Sequence, residues 1–154
     1  MIVSVVGESG VGKTSFIEKL VPLLKRKNLK VLVVKHAKKG FEIDKRGKDS
    51  YRLFQSGADV AILAPIKFAL IKRVENDDLD SYIGYFSEYD VIITEGFSQL
   101  DYPKIVIGSG NYKNVLVRIK SDFSDSDVKK VAEIIIEGVR NGSKKGCGSI
   151  RGEV

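Results

Sequence analysis

The chain has 154 residues, 43% of them hydrophobic and 30% charged, enough for one domain with a sizeable core. Its longest uninterrupted apolar run is seven residues, 60–66, too short for a membrane-spanning helix. A net charge of +6 suits a nucleic-acid partner, but its distribution argues for something smaller: Lys35, Lys38, Lys39, Lys45, Arg46 and Lys48 crowd one segment, which a local anion site explains better than a duplex-length stripe would.

Residues 2–6, IVSVV, form a β-branched run that reads as a strand buried on both faces. GESGVGKT follows at residues 7–14 and matches G-x-x-x-x-G-K-[ST] throughout. Phe16, Ile17, Leu20, Val21 and Leu24 then recur at helical spacing, predicting a helix over 13–27. Pro22 lies inside it and is expected to kink it or end a regular segment.

The strand–glycine loop–helix order gives the motif its chemistry. Gly7, Gly10 and Gly12 admit backbone conformations closed to side chains, so successive amide N–H groups converge on one anion. The helix N-terminus adds unpaired amides and a positive dipole end. Gly7, Glu8, Ser9, Gly10, Val11, Gly12, Lys13, Thr14 and Ser15 are therefore the candidate polyphosphate cradle. Lys13 supplies a charge to the terminal phosphates and Thr14 a hydroxyl ligand for Mg²⁺.

Asn28 marks a turn into a second buried strand, 31–34. Residues 35–50, KHAKKGFEIDKRGKDS, are polar and aperiodic, the mark of a functional or mobile loop. Asp49 or Ser50 is the expected cap of a short helix over 51–56, closed by Gly57. Strands are predicted at 60–64 and 68–74, a helix at 79–86, and strands at 91–94, 105–107 and 115–117. A last helix runs over 125–139 from a Ser124 cap. The alternation predicts an α/β fold with a largely parallel sheet.

The chain is expected to divide into a nucleotide-binding domain, 1–140, and a flexible Gly/Ser/Lys-rich tail, 141–154. The single cysteine, Cys147, falls in that tail and reads as a bystander thiol. With no possible internal disulfide, and Met1 leading straight into Ile2-Val3 without a basic-then-apolar leader, the expected setting is cytoplasmic.

VIITE puts Glu95 at the carboxyl end of a buried strand, where α/β sheets gather their ligands. Glu95 is the candidate second acid, ordering Mg²⁺ with Thr14 or orienting an attacking water. Near the end of the chain, Ile119-Lys120-Ser121-Asp122 approximates the [NT]-K-x-D guanine motif, with isoleucine at its first position. Lys120 would lay its stem on a base and Asp122 would accept two N–H bonds from guanine.

These segments together resemble the molybdopterin-guanine dinucleotide biosynthesis protein B family, MobB. The carriers are VVGESGVGKTSFIEKLVPLLKRKN, VVKHAKKGFEIDKRGKDSYRLFQSGADVAILAP and DVIITEGF. The middle segment is the distinctive one. The resemblance implies a P-loop NTPase-like three-layer sandwich with helices on both faces of the sheet. It implies a GTP-binding, Mg²⁺-dependent protein with slow GTPase activity, usually homodimeric. Such a protein assists a transferase that attaches GMP to molybdopterin late in molybdenum-cofactor maturation. Residues 7–14 carry over as the nucleotide loop and Glu95 as the second-motif acid. His36, Asp44, Gly47, Lys48, Asp49 and Ser50 match the family's second signature.

The chain departs from the family where K-H-x-H-H becomes Lys35-His36-Ala37-Lys38-Lys39. Only His36 remains, and protonated lysines ligate no metal, so the expected role of His36 is a hydrogen bond to phosphate or backbone. Asp44, set among cations, either faces magnesium or water or makes a surface ion pair. With Lys13, Asp44 and Glu95 as candidate catalytic groups, three functions compete. They are a slow GTPase, an ATP-dependent small-molecule kinase using Arg46 or Arg52 in a lid, and a nucleotide-dependent adaptor with negligible turnover. Gln55 and Gln99 do not follow the strand-end acid directly, which favours slow hydrolysis.

Overall fold

The computed structural model describes residues 1–43 and 45–145. Contacts divide the chain into two units: residues 1–36 with 81 onward, and residues 37–80. Asp44 and residues 146–154 of the expected tail, Cys147 among them, lie outside the described residues.

The first unit is built on five strands: β1 (Ile2–Val6), β2 (Val31–Lys35), β5 (Val91–Glu95), β6 (Lys104–Ile107) and β7 (Val115–Ile119). They lie in the order β2-β5-β1-β6-β7 with every pairing parallel. This is the largely parallel α/β sheet that the alternating pattern predicts, in the P-loop-like form that the family resemblance implies. All five carboxyl ends share one edge, and β1 at the centre is flanked by β5 on one side and β6 on the other, with β2 beyond β5. A sheet of this kind opens its ligand crevice at that edge.

Helices α1 (Lys13–Lys25) and α3 (Asp125–Lys145) pack against one another and against the sheet. Phe16, Leu20 and Leu24 of α1 and Val128, Val131 and Ile135 of α3 meet Val3, Val5, Ile93, Ile105 and Ile107 in one core. The opposite face of the sheet is buried too, at Ser4, Val6, Ile92, Thr94 and Val106. Two of these are polar and pair across the register: the Thr94 hydroxyl donates to Ser4 Oγ at 2.8 Å. That bond removes the cost of burying both hydroxyls.

Several boundaries differ from the sequence reading. Helix α1 passes through Pro22 and ends at Lys25, where Arg26 N–H still bonds the Pro22 carbonyl at 3.1 Å. The proline therefore costs one bond without ending the segment. Residues 79–86 form two 3₁₀ turns, Leu79–Ser81 and Ile83–Phe86, in place of a helix. Gly84 and the aromatic neighbours there are poor helix formers. Strand β6 begins at Lys104, whose ammonium is buried and donates to the carbonyls of Leu100 (2.6 Å) and Tyr102 (3.1 Å). Helix α3 runs to Lys145, six residues past its expected end. Its start is as expected: Ser124 Oγ accepts from Asp127 N–H while Asp127 Oδ2 accepts from Ser124 N–H and Oγ, a reciprocal capping box.

The second unit holds α2 (Asp49–Gln55) and an antiparallel pair, β3 (Val60–Ala64) and β4 (Lys67–Ile71). Helix α2 starts at Asp49, so its cap position falls on Lys48, one residue before the expected caps, and no side chain bonds the cap. Gly57, at φ +110°, closes it as predicted. The Arg73 guanidinium lies 4.1 Å over the Phe54 ring and donates to the Phe54 carbonyl. Asp59 receives the Arg73 N–H and pairs with Lys72 at 3.4 Å.

Candidate functional site

The loop after β1 has the left-handed geometry its glycines allow. Gly10 and Gly12 stand at φ +81° and +89°, and Gly12 serves as the cap of α1, accepting from Phe16 N–H at 2.9 Å. Gly7 is required for space: a Cβ there would stand 2.4 Å from the Ile107 carbonyl oxygen. Inside this loop the Lys13 ammonium donates to the carbonyls of Gly7 (3.0 Å) and Glu8 (2.5 Å). Neutral carbonyls are weaker acceptors than phosphate oxygens, so a polyphosphate at this loop would exchange these bonds for stronger ones.

Glu95 closes the site from β5. The Thr14 hydroxyl donates to Glu95 Oε1 at 2.9 Å, joining two residues 81 apart in the chain. On its other oxygen, Oε2, Glu95 pairs with the Lys35 ammonium at 3.5 Å, across the β2–β5 register that aligns the two residues. The Glu95 side chain is 13% exposed against 65% for Lys35, so the carboxylate is the held partner. A hydroxyl and a carboxylate this close form a hard oxygen pair suited to Mg²⁺, which takes few protein ligands and completes its shell with phosphate and water. Among the described residues no group of three or more His, Cys, Asp or Glu side chains could hold a metal.

His36 sits beside this edge. Its N–H bonds the Glu95 carbonyl at 3.0 Å, and its ring stacks on Phe97 at 4.3 Å and 11°. Gly96 and Phe97 both have positive φ, +98° and +52°, and a Cβ on Gly96 would stand 3.0 Å from His36 Cβ. The ring therefore packs over the backbone that follows the acid. Phe97 was not singled out by sequence, and neither was Lys35 as the partner of Glu95. Its signal was the matched carboxyl ends of two strands, visible only once their pairing is known.

Lys120 and Asp122 line an open cavity of about 760 Å³ together with Gly108, Ser109, Gly110, Arg118, Ile119 and Ser121. The cavity adjoins the glycine loop. Gly108 borders Val11, and Phe123, edge-on to Phe16 at 5.3 Å, lies against Gly12. The first unit thus brings together the loop, Glu95, His36, Lys120 and Asp122. Lys48 belongs to the second unit, exposed, at the cap of α2.

The family model described as "Molybdopterin guanine dinucleotide synthesis protein B" matches residues 2–132. The chain belongs to the MobB family. A MobB relative from Haemophilus influenzae, a molybdopterin-guanine dinucleotide biosynthesis adapter protein, is 34% identical over 110 residues, 69% of this chain and 62% of that protein. A putative adapter protein of the same name from Methanocaldococcus jannaschii is 36% identical over 112 residues, 69% of this chain and 46% of its own. The chain therefore spans less than two thirds of these two relatives. A crystal structure of molybdopterin-guanine biosynthesis protein B superposes with a TM-score of 0.75 at 34% identity, covering 91% of this chain and 99% of that one. The MobB resemblance read from the three sequence segments is borne out.

Proposed function

We infer that this chain is a cytoplasmic, GTP-binding adaptor of molybdopterin guanine dinucleotide synthesis, with slow Mg²⁺-dependent hydrolysis. One observation carries the reading: the Thr14 hydroxyl and the Glu95 carboxylate meet at 2.9 Å beside a glycine loop that already curls around the Lys13 ammonium. In this reading the amides of residues 7–14 bind the β- and γ-phosphates, Lys13 neutralises them, and Thr14 and Glu95 hold Mg²⁺, which supplies charge stabilisation when bound. Lys120 and Asp122 take the base, and Asp122 makes guanine the expected choice. His36 positions the backbone after Glu95. Lys48 and its cationic neighbours attract a phosphorylated partner, for which molybdopterin and the guanylyl transferase are the candidates.

The adaptor emphasis is supported by the printed names of the relatives and by the want of a glutamine directly after Glu95. Self-association is part of the proposal. Cross-strand pairs Leu63–Phe68 and Ala61–Leu70 put an apolar face on the β3–β4 hairpin, with Leu63 76% and Phe68 66% exposed. Such a face favours a second copy. Competition against a fluorescent guanine nucleotide in Mg²⁺ tests the ligand: GTP should displace it and ATP should compete poorly. Equal competition by ATP would remove the guanine assignment and revive the kinase.

A further inference from the structure

We propose that Arg118 is a positioning residue for the nucleobase, acting through the glycine turn that follows β6. The proposal rests on the nucleotide reading above and goes beyond it, since neither the glycine loop nor the guanine-like motif includes this residue.

The turn has little to hold it in shape. Gly108 and Gly110 stand at φ +80° and +114°, conformations that glycine samples among many others in a free chain. Between them only Ser109 carries a side chain, and it is exposed. Strand β7 supplies the restraint. Gly108 N–H donates to the Ile119 carbonyl at 2.8 Å. The Arg118 guanidinium then spans the turn, donating from Nη1 to the Gly108 carbonyl at 3.2 Å and from Nη2 to the Gly110 carbonyl at 3.0 Å. A planar fork with fixed N–H directions sets the separation and orientation of two carbonyls at once, which a single ammonium cannot do.

Because a trans peptide points its C=O and N–H in opposite directions, fixing the Gly108 and Gly110 carbonyls also fixes the N–H groups of Ser109 and Asn111. The turn and Arg118 line the same cavity as Lys120 and Asp122. At about 760 Å³ the cavity falls in the size range of small-molecule sites. It borders the glycine loop at Val11, so a ligand anchored there by its phosphates extends its nucleoside part toward this turn. Arg118 is thus expected to act on the nucleoside part of the ligand and to leave the phosphate cradle untouched.

The test compares GTP with inorganic tripolyphosphate, by calorimetry on the full chain in Mg²⁺, for the native protein, Arg118→Ala and Arg118→Lys. Native protein should bind both, GTP the tighter. Arg118→Ala should weaken GTP about tenfold, the scale of one charge-assisted hydrogen bond, and leave tripolyphosphate within about twofold. Arg118→Lys keeps the charge without the fork, and should recover less than half of that loss on a logarithmic scale. Equal weakening of both ligands overturns the proposal, because the arginine would then act as a general charge or a fold support. So does full recovery in Arg118→Lys. Native protein that binds tripolyphosphate as tightly as GTP shows no nucleoside contribution and sinks it as well. Native protein that binds neither ligand removes the nucleotide reading itself, and the proposal with it.

Discussion

At Gly7 an added methyl group would meet the Ile107 carbonyl oxygen at 2.4 Å, and the residue's φ of +151° disfavours any side chain. Gly7→Ala is therefore expected to cost about 1–3 kcal/mol of stability by chemical denaturation and to weaken nucleotide binding, since the loop must shift to clear β6. Lys13→Ala removes an ammonium whose bonds are confined to its own loop. That protein should keep the native unfolding midpoint within about 0.5 kcal/mol while losing about a hundredfold in nucleotide affinity; retained affinity would point to another site. Glu95→Gln keeps an acceptor for Thr14 and deletes the charge. Single-turnover hydrolysis should fall about tenfold or more with affinity changed less, and an unchanged rate would reduce Glu95 to scaffolding. The left-handed turn of the glycine loop was legible because the motif is contiguous and its shape is set by its own backbone. Lys35, Phe97 and Arg118 were not, because their roles depend on which strands lie side by side and where the loops between them close.

The capping box of α3 shows what a helix end contributes. Ser124→Ala should cost about 1 kcal/mol, read from the urea midpoint. Asp127 is held below the ordinary aspartate range first by the Ser124 N–H bond and then by the Ser124 hydroxyl. A carboxylate with a folded-state value below its unfolded one stabilises fully above the unfolded value and loses that contribution as pH falls through the folded one. The stability gap between native protein and Asp127→Asn should therefore be constant near neutral pH and close below about pH 4. A gap that survives at pH 2 would assign the effect to shape alone. The strands were readable from their β-branched runs and α1 from its apolar spacing. The start of β6 was not, because a buried lysine satisfied by loop carbonyls looks in sequence like a solvated one. The far end of α3 was missed for another reason: past Val139 no apolar period remains, yet propagation still gains a backbone bond per residue.

On the scale of the whole molecule, the all-parallel order β2-β5-β1-β6-β7 gathers the loop, Glu95 and the 119–122 segment at one edge, and that convergence is the physical basis of the function proposed. The apolar face of the β3–β4 hairpin carries the proposed self-association. Leu63→Asp with Phe68→Asp should shift a dimer to monomer in sedimentation equilibrium while GTP affinity stays within about twofold. A dimer that persists in the double variant would move the interface elsewhere. The central claim is that one main-chain cradle, completed by Lys13 and by a cation held between Thr14 and Glu95, binds a purine triphosphate. Calorimetric titration of GTP into the purified chain, with and without Mg²⁺, tests it most directly. The account predicts saturable binding of one nucleotide per chain, about tenfold or more tighter with Mg²⁺ than with chelator; no heat from GTP or ATP in Mg²⁺ would contradict it.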